Sequence, residues 1–259
     1  MATRLKPILD FLGIYRPLRY AYKRMRSELD KFMTSASALR ARRLVPEIAF
    51  SEKLREAVAA LTQDNRTEPF GDYLEFGVYN GTSLSCMYSV AEEIGLEQMS
   101  FYGFDSFEGL PKRANQDDEG LWVEGQYNCG IDVTQALLTE RGIDWERVHL
   151  IKGWFSETLT DEMIDRNGIV KAAIVMVDCD NYASAAEALS FVEPLIRGQA
   201  VIIFDDWRAW DLDTKNMGEK RAFSEFLEAH PDLIARDLGS YSHDSQVFHV
   251  KRSQQGSPH

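Results

Sequence analysis

Apolar positions recur along this chain with two different periods. From about residue 50 onward, short apolar runs alternate with segments whose apolar residues stand three and four apart, which is the signature of strands alternating with helices. Asp72–Gly77, Ser100–Asp105, Arg147–Ile151, Ala172–Val177 and Ala200–Phe204 read as strands. Ala172–Val177 is apolar throughout, as a parallel strand covered on both faces must be. Between the strands, Phe50, Leu54, Val58 and Leu61 mark a helix with Ser51 as its candidate N-cap. Another helix follows the first strand to about Ile94, and others span Asp132–Gly142, Glu157–Arg166 and Lys215–Ala229. Ala185, Leu189, Val192 and Ile196 form one more helical face, stopped by Gly198. Leu233–Leu238 and Gln246–Val250 are late strands, close enough in sequence to pair antiparallel. The pattern predicts an α/β fold with a mostly parallel seven-stranded sheet and helices on both faces. Ligands of such sheets lie beyond the carboxyl ends of the strands.

The first 48 residues differ in character. Leu18, Tyr22, Met25, Leu29 and Phe32 fall at helical spacing with Arg and Lys between them. Residues 1–45 hold eleven Lys/Arg and three acids, a net of +8, which leaves −20 for the rest of a chain whose total is −12. The expected organisation is a basic helical arm (1–48), one α/β domain (49–252) and an unstructured tail (253–259). The acidic body argues against tracking a phosphate backbone, so no nucleic-acid partner is expected. An amphipathic basic arm fits a helix–helix contact in a homo-oligomer or a lid first, and a peripheral membrane contact second. Three widely spaced cysteines (Cys86, Cys129 and Cys179) point to a reducing compartment. The start lacks an apolar leader and no apolar run is long enough to span a bilayer, so the expected location is cytoplasmic.

Three motifs carry chemistry, and each sits at a strand end. The first is Glu75-Phe-Gly-Val-Tyr-Asn-Gly-Thr-Ser83. Gly77 permits a sharp turn and Gly81 opens the next helix, whose free N–H groups suit an anionic group. Ser83 adds a hydroxyl there, and Glu75 offers an acceptor for an ammonium group. Tyr79 stands where a dinucleotide site needs its second glycine, which counts against a nicotinamide cofactor. The second motif is Phe104-Asp-Ser-Phe-Glu-Gly-Leu-Pro111, in which Asp105 ends a strand 28 residues after Gly77. An acid there suits ribose hydroxyls, although turn capping is the commoner role of an isolated Asp. The third is Asp178-Cys-Asp-Asn-Tyr182 together with Phe204-Asp-Asp-Trp207. Adjacent strands would bring Asp178, Asp205 and Asp206 to one edge, where three carboxylates repel unless protonated or bridged by a cation. Hard oxygen ligands favour Mg²⁺, Mn²⁺ or Ca²⁺ over Zn²⁺. Helix capping is the competing use of each acid. His243 and His249 are acceptor-site candidates for which surface or strand roles are the commoner use, and Gln116–Gly130 reads as a lid or a long surface loop.

Taken in order, these motifs and Lys152-Gly-Trp-Phe-Ser-Glu-Thr-Leu159 resemble the macrocin O-methyltransferase family over roughly residues 70–210. A more distant resemblance is to catechol O-methyltransferases. The resemblance implies a Rossmann-like class I methyltransferase fold and S-adenosylmethionine as methyl donor. Glu75, Gly77 and Ser83, with Tyr79 and Gly81 in the same turn, would hold its methionine part. Asp105 and Ser106 would hold the ribose, and Gly153, Trp154, Phe155 and Ser156 would lie by the adenine. Asp178, Asp205 and Asp206 would bind Mg²⁺, and the acceptor would be a hydroxyl of a sugar or related small molecule. Catechol enzymes place a lysine base where this chain has Asn181, so Asp178 is the first candidate for the base and Asp206 the second. The alternatives of other classes are a nicotinamide-dependent oxidoreductase and a non-catalytic carbohydrate-binding or assembly protein that keeps the fold.

Overall fold

The computed structural model describes residues 44–63 and 70–253, with Ala21, Met25, Leu39 and Arg42 from the segment before them. The amphipathic face of the arm, Met25 apart, and nearly all of the tail lie outside the described residues. In chain order the elements are α1 (Glu47–Thr62), β1 (Asp72–Phe76), α2 (Thr82–Ile94), β2 (Phe101–Asp105), α3 (Ile131–Glu140) and β3 (Val148–Lys152). They continue with α4 (Asp161–Asn167), β4 (Ala172–Val177), α5 (Tyr182–Val192), β5 (Gln199–Phe204), α6 (Gly218–Ala229), β6 (Leu233–Gly239) and β7 (Gln246–Arg252). The seven strands form one sheet in the order β3-β2-β1-β4-β5-β7-β6. β1 to β5 are parallel, and β7 runs antiparallel to both β5 and β6.

Side-chain alternation in the strands divides the core in two. Ile174 and Met176 of β4 face a layer containing Phe50 and Leu54 of α1 and Leu84 and Met87 of α2. Val175 and Val177 face the opposite layer, with Ala185 and Leu189 of α5 and Phe223 and Phe226 of α6. All six residues of β4 are buried. Each Val, Ile, Leu, Phe or Met so covered contributes roughly 1.5–3 kcal/mol, which makes the central strands the strongest part of the fold. Two local expectations need correction. α1 starts at Glu47 after Pro46, so Ser51 lies inside the helix and caps nothing. The helix expected over Glu157–Arg166 is broken into a turn at Phe155–Thr158 and α4, because Thr160 turns extended and its hydroxyl caps the N–H of Met163.

The strand order reverses between β1 and β4, which opens a crevice at their carboxyl ends. One glycine lets the two exits approach closely. Gly77 has φ +93°, and a Cβ there would stand 1.9 Å from the carbonyl oxygen of Asp178. The chain leaving β4 therefore lies directly against the turn leaving β1, tied by Asp178 N–H donating to Phe76 O at 2.9 Å. Gly168 also has positive φ, +64°, but its Cβ would meet nothing within 4 Å.

Gly77→Ala is expected to lose about 3 kcal/mol or more in urea unfolding, from left-handed strain plus overpacking. Gly168→Ala should lose only about 1–2 kcal/mol, the left-handed cost alone. Equal losses would contradict the close approach at Gly77.

Candidate functional site

The crevice is a cavity of about 420 Å³ lined by the turns after β1 to β5. On one side lie Gly77, Tyr79, Asp105 and Ser106, with Gly153, Trp154, Phe155 and Ser156 from the turn after β3. Asp105 organises this side. Its Oδ2 accepts the N–H groups of Val78 and Tyr79 at 2.7 and 2.8 Å, and its Oδ1 accepts that of Phe107 at 2.6 Å. Burial pushes this carboxyl up, and the N–H donors of Tyr79, Phe107 and Val78 oppose that shift. Ser106 turns its hydroxyl to Gly109 O at 2.9 Å.

Glu75, Gly81 and Ser83 stand behind this wall and do not line the cavity. Glu75 is fully buried; its Oε1 accepts from the Ser83 hydroxyl at 2.8 Å and its Oε2 from the Tyr73 hydroxyl. Burial raises its pKa to about 8, against the pull of those two donors. A Cβ on Gly81 would meet Leu138 at 2.6 Å, so that glycine serves the packing of α3 on the turn. All three support the turn from within, Glu75 and Ser83 through their hydrogen bond and Gly81 through its contact with Leu138.

The acids converge on the other side. Asp178 follows β4 and Asp205 and Asp206 follow β5, each offering an oxygen within 4.8 Å of the others. All three are half-buried and line the cavity. Among the described residues none of them is ion-paired with Lys or Arg. Burial pushes Asp178 well up, with Asp205 and then Asp180 adding to it. Burial raises Asp205 to about 6, opposed by the Tyr241 hydroxyl that donates to its Oδ1. Asp206 is raised well up by burial, then by Asp180 and Asp205. Such a set of hard oxygen donors, crowded and uncompensated, fits a divalent oxygen-preferring cation. Asn181 caps α5 by accepting Ser184 N–H at 3.0 Å and is fully buried, so no base stands at that position.

Several residues that line or support the site are invisible to sequence reasoning. Glu219, from the first turn of α6, is fully buried and accepts Asp206 N–H at 3.0 Å. Asp118 is fully buried and accepts the N–H groups of Tyr182 and Gly218, both at 2.9 Å. It thereby ties the Gln116–Gly130 stretch to the starts of α5 and α6, the helices that follow the two acidic motifs. That stretch is a wall of the site, with Trp122, Gln126 and Tyr127 lining the cavity. Arg42 lines it too, 5.5 Å from the ring centres of both Tyr79 and Tyr127. Asn80 in the first turn holds this segment by donating to Leu39 O and Arg42 O at 3.0 and 2.8 Å. Leu39, Arg42, Leu44 and Val45, grouped with the arm on sequence, therefore pack on the α/β domain. His249 is buried in β7 beside Gln199 and Arg236, His243 is exposed, and neither lines the cavity.

The profile of the family described as Macrocin-O-methyltransferase (TylF) matches residues 40–232. The 8-demethyl-8-(2,3-dimethoxy-alpha-L-rhamnosyl)-tetracenomycin-C 4'-O-methyltransferase of Streptomyces olivaceus is 27% identical over 144 residues, 53% of this chain and 53% of that relative. The match thus spans about half the length of the curated relative. Among solved structures, the O-methyltransferase NovP superposes with a TM-score of 0.63 at 20% identity, over 80% of this chain and 81% of its own. The calicheamicin methyltransferase CalS11 does so with a TM-score of 0.59 at 16% identity, over 81% of this chain and 80% of its own. At these identities the two structures establish the fold, a Rossmann-like sheet with helices on both faces.

Glu75 generates a pH prediction. Its folded pKa of about 8 lies above its ordinary value of 4.5. The native state therefore binds the extra proton, and the stability it confers is full below pH 4.5 and gone once pH has risen through about 8. Glu75→Gln cannot lose that proton. The difference in melting temperature between Glu75→Gln and the parent should shift in favour of the variant between pH 5 and pH 8 and then level off. A difference independent of pH would show that Glu75 is ionised in the folded protein.

Proposed function

The chain belongs to the macrocin O-methyltransferase family, and we propose that it transfers a methyl group from S-adenosylmethionine to a hydroxyl of a sugar or sugar-bearing small molecule, with a divalent cation held by Asp178, Asp205 and Asp206. The observation that carries this reading is the meeting, in one cavity, of those three carboxylates and the Gly77–Asp105 turn. The rhamnosyl group in the name of the Streptomyces olivaceus relative supports a sugar-bearing acceptor.

Gly77 supplies bare backbone and Tyr79 a turn beside it for the methionine part of the donor, while Glu75 and Ser83 stiffen the wall from behind. Asp105 spends three of its roughly four acceptor positions on backbone N–H groups. One position, on Oδ1, is left for a ribose hydroxyl. Gly153, Trp154, Phe155 and Ser156 flank the adenine. The methyl passes in line from sulfur to the acceptor oxygen, so alignment of the two supplies much of the rate. A bound Mg²⁺ supplies Lewis acidity, lowering the pKa of the acceptor hydroxyl and fixing its direction. Asp178 takes the hydroxyl proton, with Asp206 the second candidate. Tyr127 and Trp122 close the acceptor side and keep water out.

A nicotinamide-dependent oxidoreductase is disfavoured by Tyr79, whose side chain and φ of +49° occupy the place where a pyrophosphate needs bare glycine. A non-catalytic carbohydrate-binding protein has no use for the donor turn. Calorimetric titration with S-adenosylhomocysteine and with NAD separates the readings, and binding of the first alone is expected.

Two outcomes test the assignment. Asp105→Asn should weaken S-adenosylhomocysteine by about tenfold or more, as loss of one charge-assisted hydrogen bond requires. Unchanged affinity in a folded variant removes Asp105 from the donor site. EDTA followed by dialysis should abolish methyl transfer to sugar diols and leave S-adenosylhomocysteine affinity within about threefold, with Mg²⁺ or Mn²⁺ restoring turnover. Full activity without metal would leave a methyltransferase that works by base alone.

A further inference from the structure

The backbone of the acidic pair after β5 is held from one side by a residue with no evident claim to the site. Beyond Phe204 the chain leaves the sheet into an irregular segment, in which Trp210, Asp211 and Asn216 all have positive φ. Asp205 N–H still donates to Val177 O at 3.2 Å, the last bond of the strand ladder. Asp206 N–H has no strand to pair with. It donates instead to Glu219 Oε2 at 3.0 Å, across 13 residues of chain. Glu219 is fully buried, and its Oε1 makes no hydrogen bond. Its place is itself fixed: Gly218 N–H donates to the buried Asp118, and α6 packs Ala222 and Phe223 into the core.

We propose that Glu219 is a positioning residue for the cation site, holding the backbone of Asp206 so that its carboxylate meets those of Asp178 and Asp205. This inference rests on the metal reading above. A buried carboxylate beside Asp205, Asp206 and Asp180 is a poor choice for filling space, because the neighbouring acids oppose its charge. What it supplies is an acceptor at the end of a two-methylene reach from a rigid helix. Groups outside the ligand set that orient the ligands commonly govern metal affinity by 10–100-fold. The role assigned to Glu219 depends on reach and not on charge, and two conservative substitutions separate these. Glu219→Gln keeps an oxygen at the same distance and loses the charge. Glu219→Asp keeps the charge and withdraws the oxygen by one methylene.

The test is calorimetric titration of the full chain with Mn²⁺ in the presence of S-adenosylhomocysteine, backed by titration of S-adenosylhomocysteine alone. Glu219→Asp is expected to weaken Mn²⁺ by about tenfold or more, and Glu219→Gln by less than about threefold. S-adenosylhomocysteine affinity should stay within about twofold of the parent in both variants, a readout that general loosening of the domain would move. Mn²⁺ binding by Glu219→Asp as tight as the parent, or by Glu219→Gln as weak as Glu219→Asp, overturns the inference and leaves the metal reading standing. Absence of Mn²⁺ binding by the parent overturns both.

Discussion

Negative charge concentrated at one end of two neighbouring strands is the constraint around which this molecule is arranged. Asp178, Asp205 and Asp206 bring oxygens within 4.8 Å of one another, and Glu219 stands behind them. Two ionised groups at that separation repel by on the order of 3 kcal/mol at an effective dielectric constant near 20. Each pair added to the cluster repeats that cost. Hydrophobic burial elsewhere in the sheet offsets it, and protonation relieves it; burial raises all three acids, with mutual repulsion adding to Asp178 and Asp206. A bound divalent cation would turn the same geometry from a liability into a binding site.

The fold holds the acids in place through contacts that tolerate little change. Gly77 brings the exit of β4 against the turn after β1. Asp118 fixes the first residues of α5 and α6 with its two oxygens, so one loop carboxylate sets the start of both helices that follow the acidic motifs. Strain gathers here as well. Tyr79, Tyr127, Asp180 and Trp210 all have positive φ and all line the cavity. Left-handed backbone at bulky residues costs roughly 1–3 kcal/mol each, and it persists where surrounding contacts over-determine the chain. The cavity wall is therefore held by the domain at some cost in stability, as a preorganised site requires.

The strands and the acidic motifs were legible because each rests on local pattern. Ala172–Val177 is an unbroken apolar run in the sequence and the fully buried β4 in the structure. Asp178 and the Asp205–Asp206 pair follow directly from knowing where β4 and β5 end. Glu75 shows what residue type alone omits. It shares a strand face with Tyr73, two residues away, and that face looks into the core beneath α2. Its carboxylate consequently bonds Tyr73 and Ser83 and not the cavity. Glu219 and Tyr241 reach Asp206 and Asp205 from 13 and 36 residues away. No spacing rule connects such positions before the chain has folded. The same holds for Arg42, whose charge groups it with the arm although its guanidinium stacks on Tyr79 and Tyr127.

If Asp178, Asp205 and Asp206 hold a cation, anomalous scattering from crystals grown with Mn²⁺ and S-adenosylhomocysteine will locate it. One strong peak is expected, with oxygens of Asp178, Asp205 and Asp206 at about 2.0–2.2 Å, close to the octahedral distance of a small hard cation. Clear density for all three side chains, with no anomalous peak between them at millimolar Mn²⁺, would contradict a cation site there.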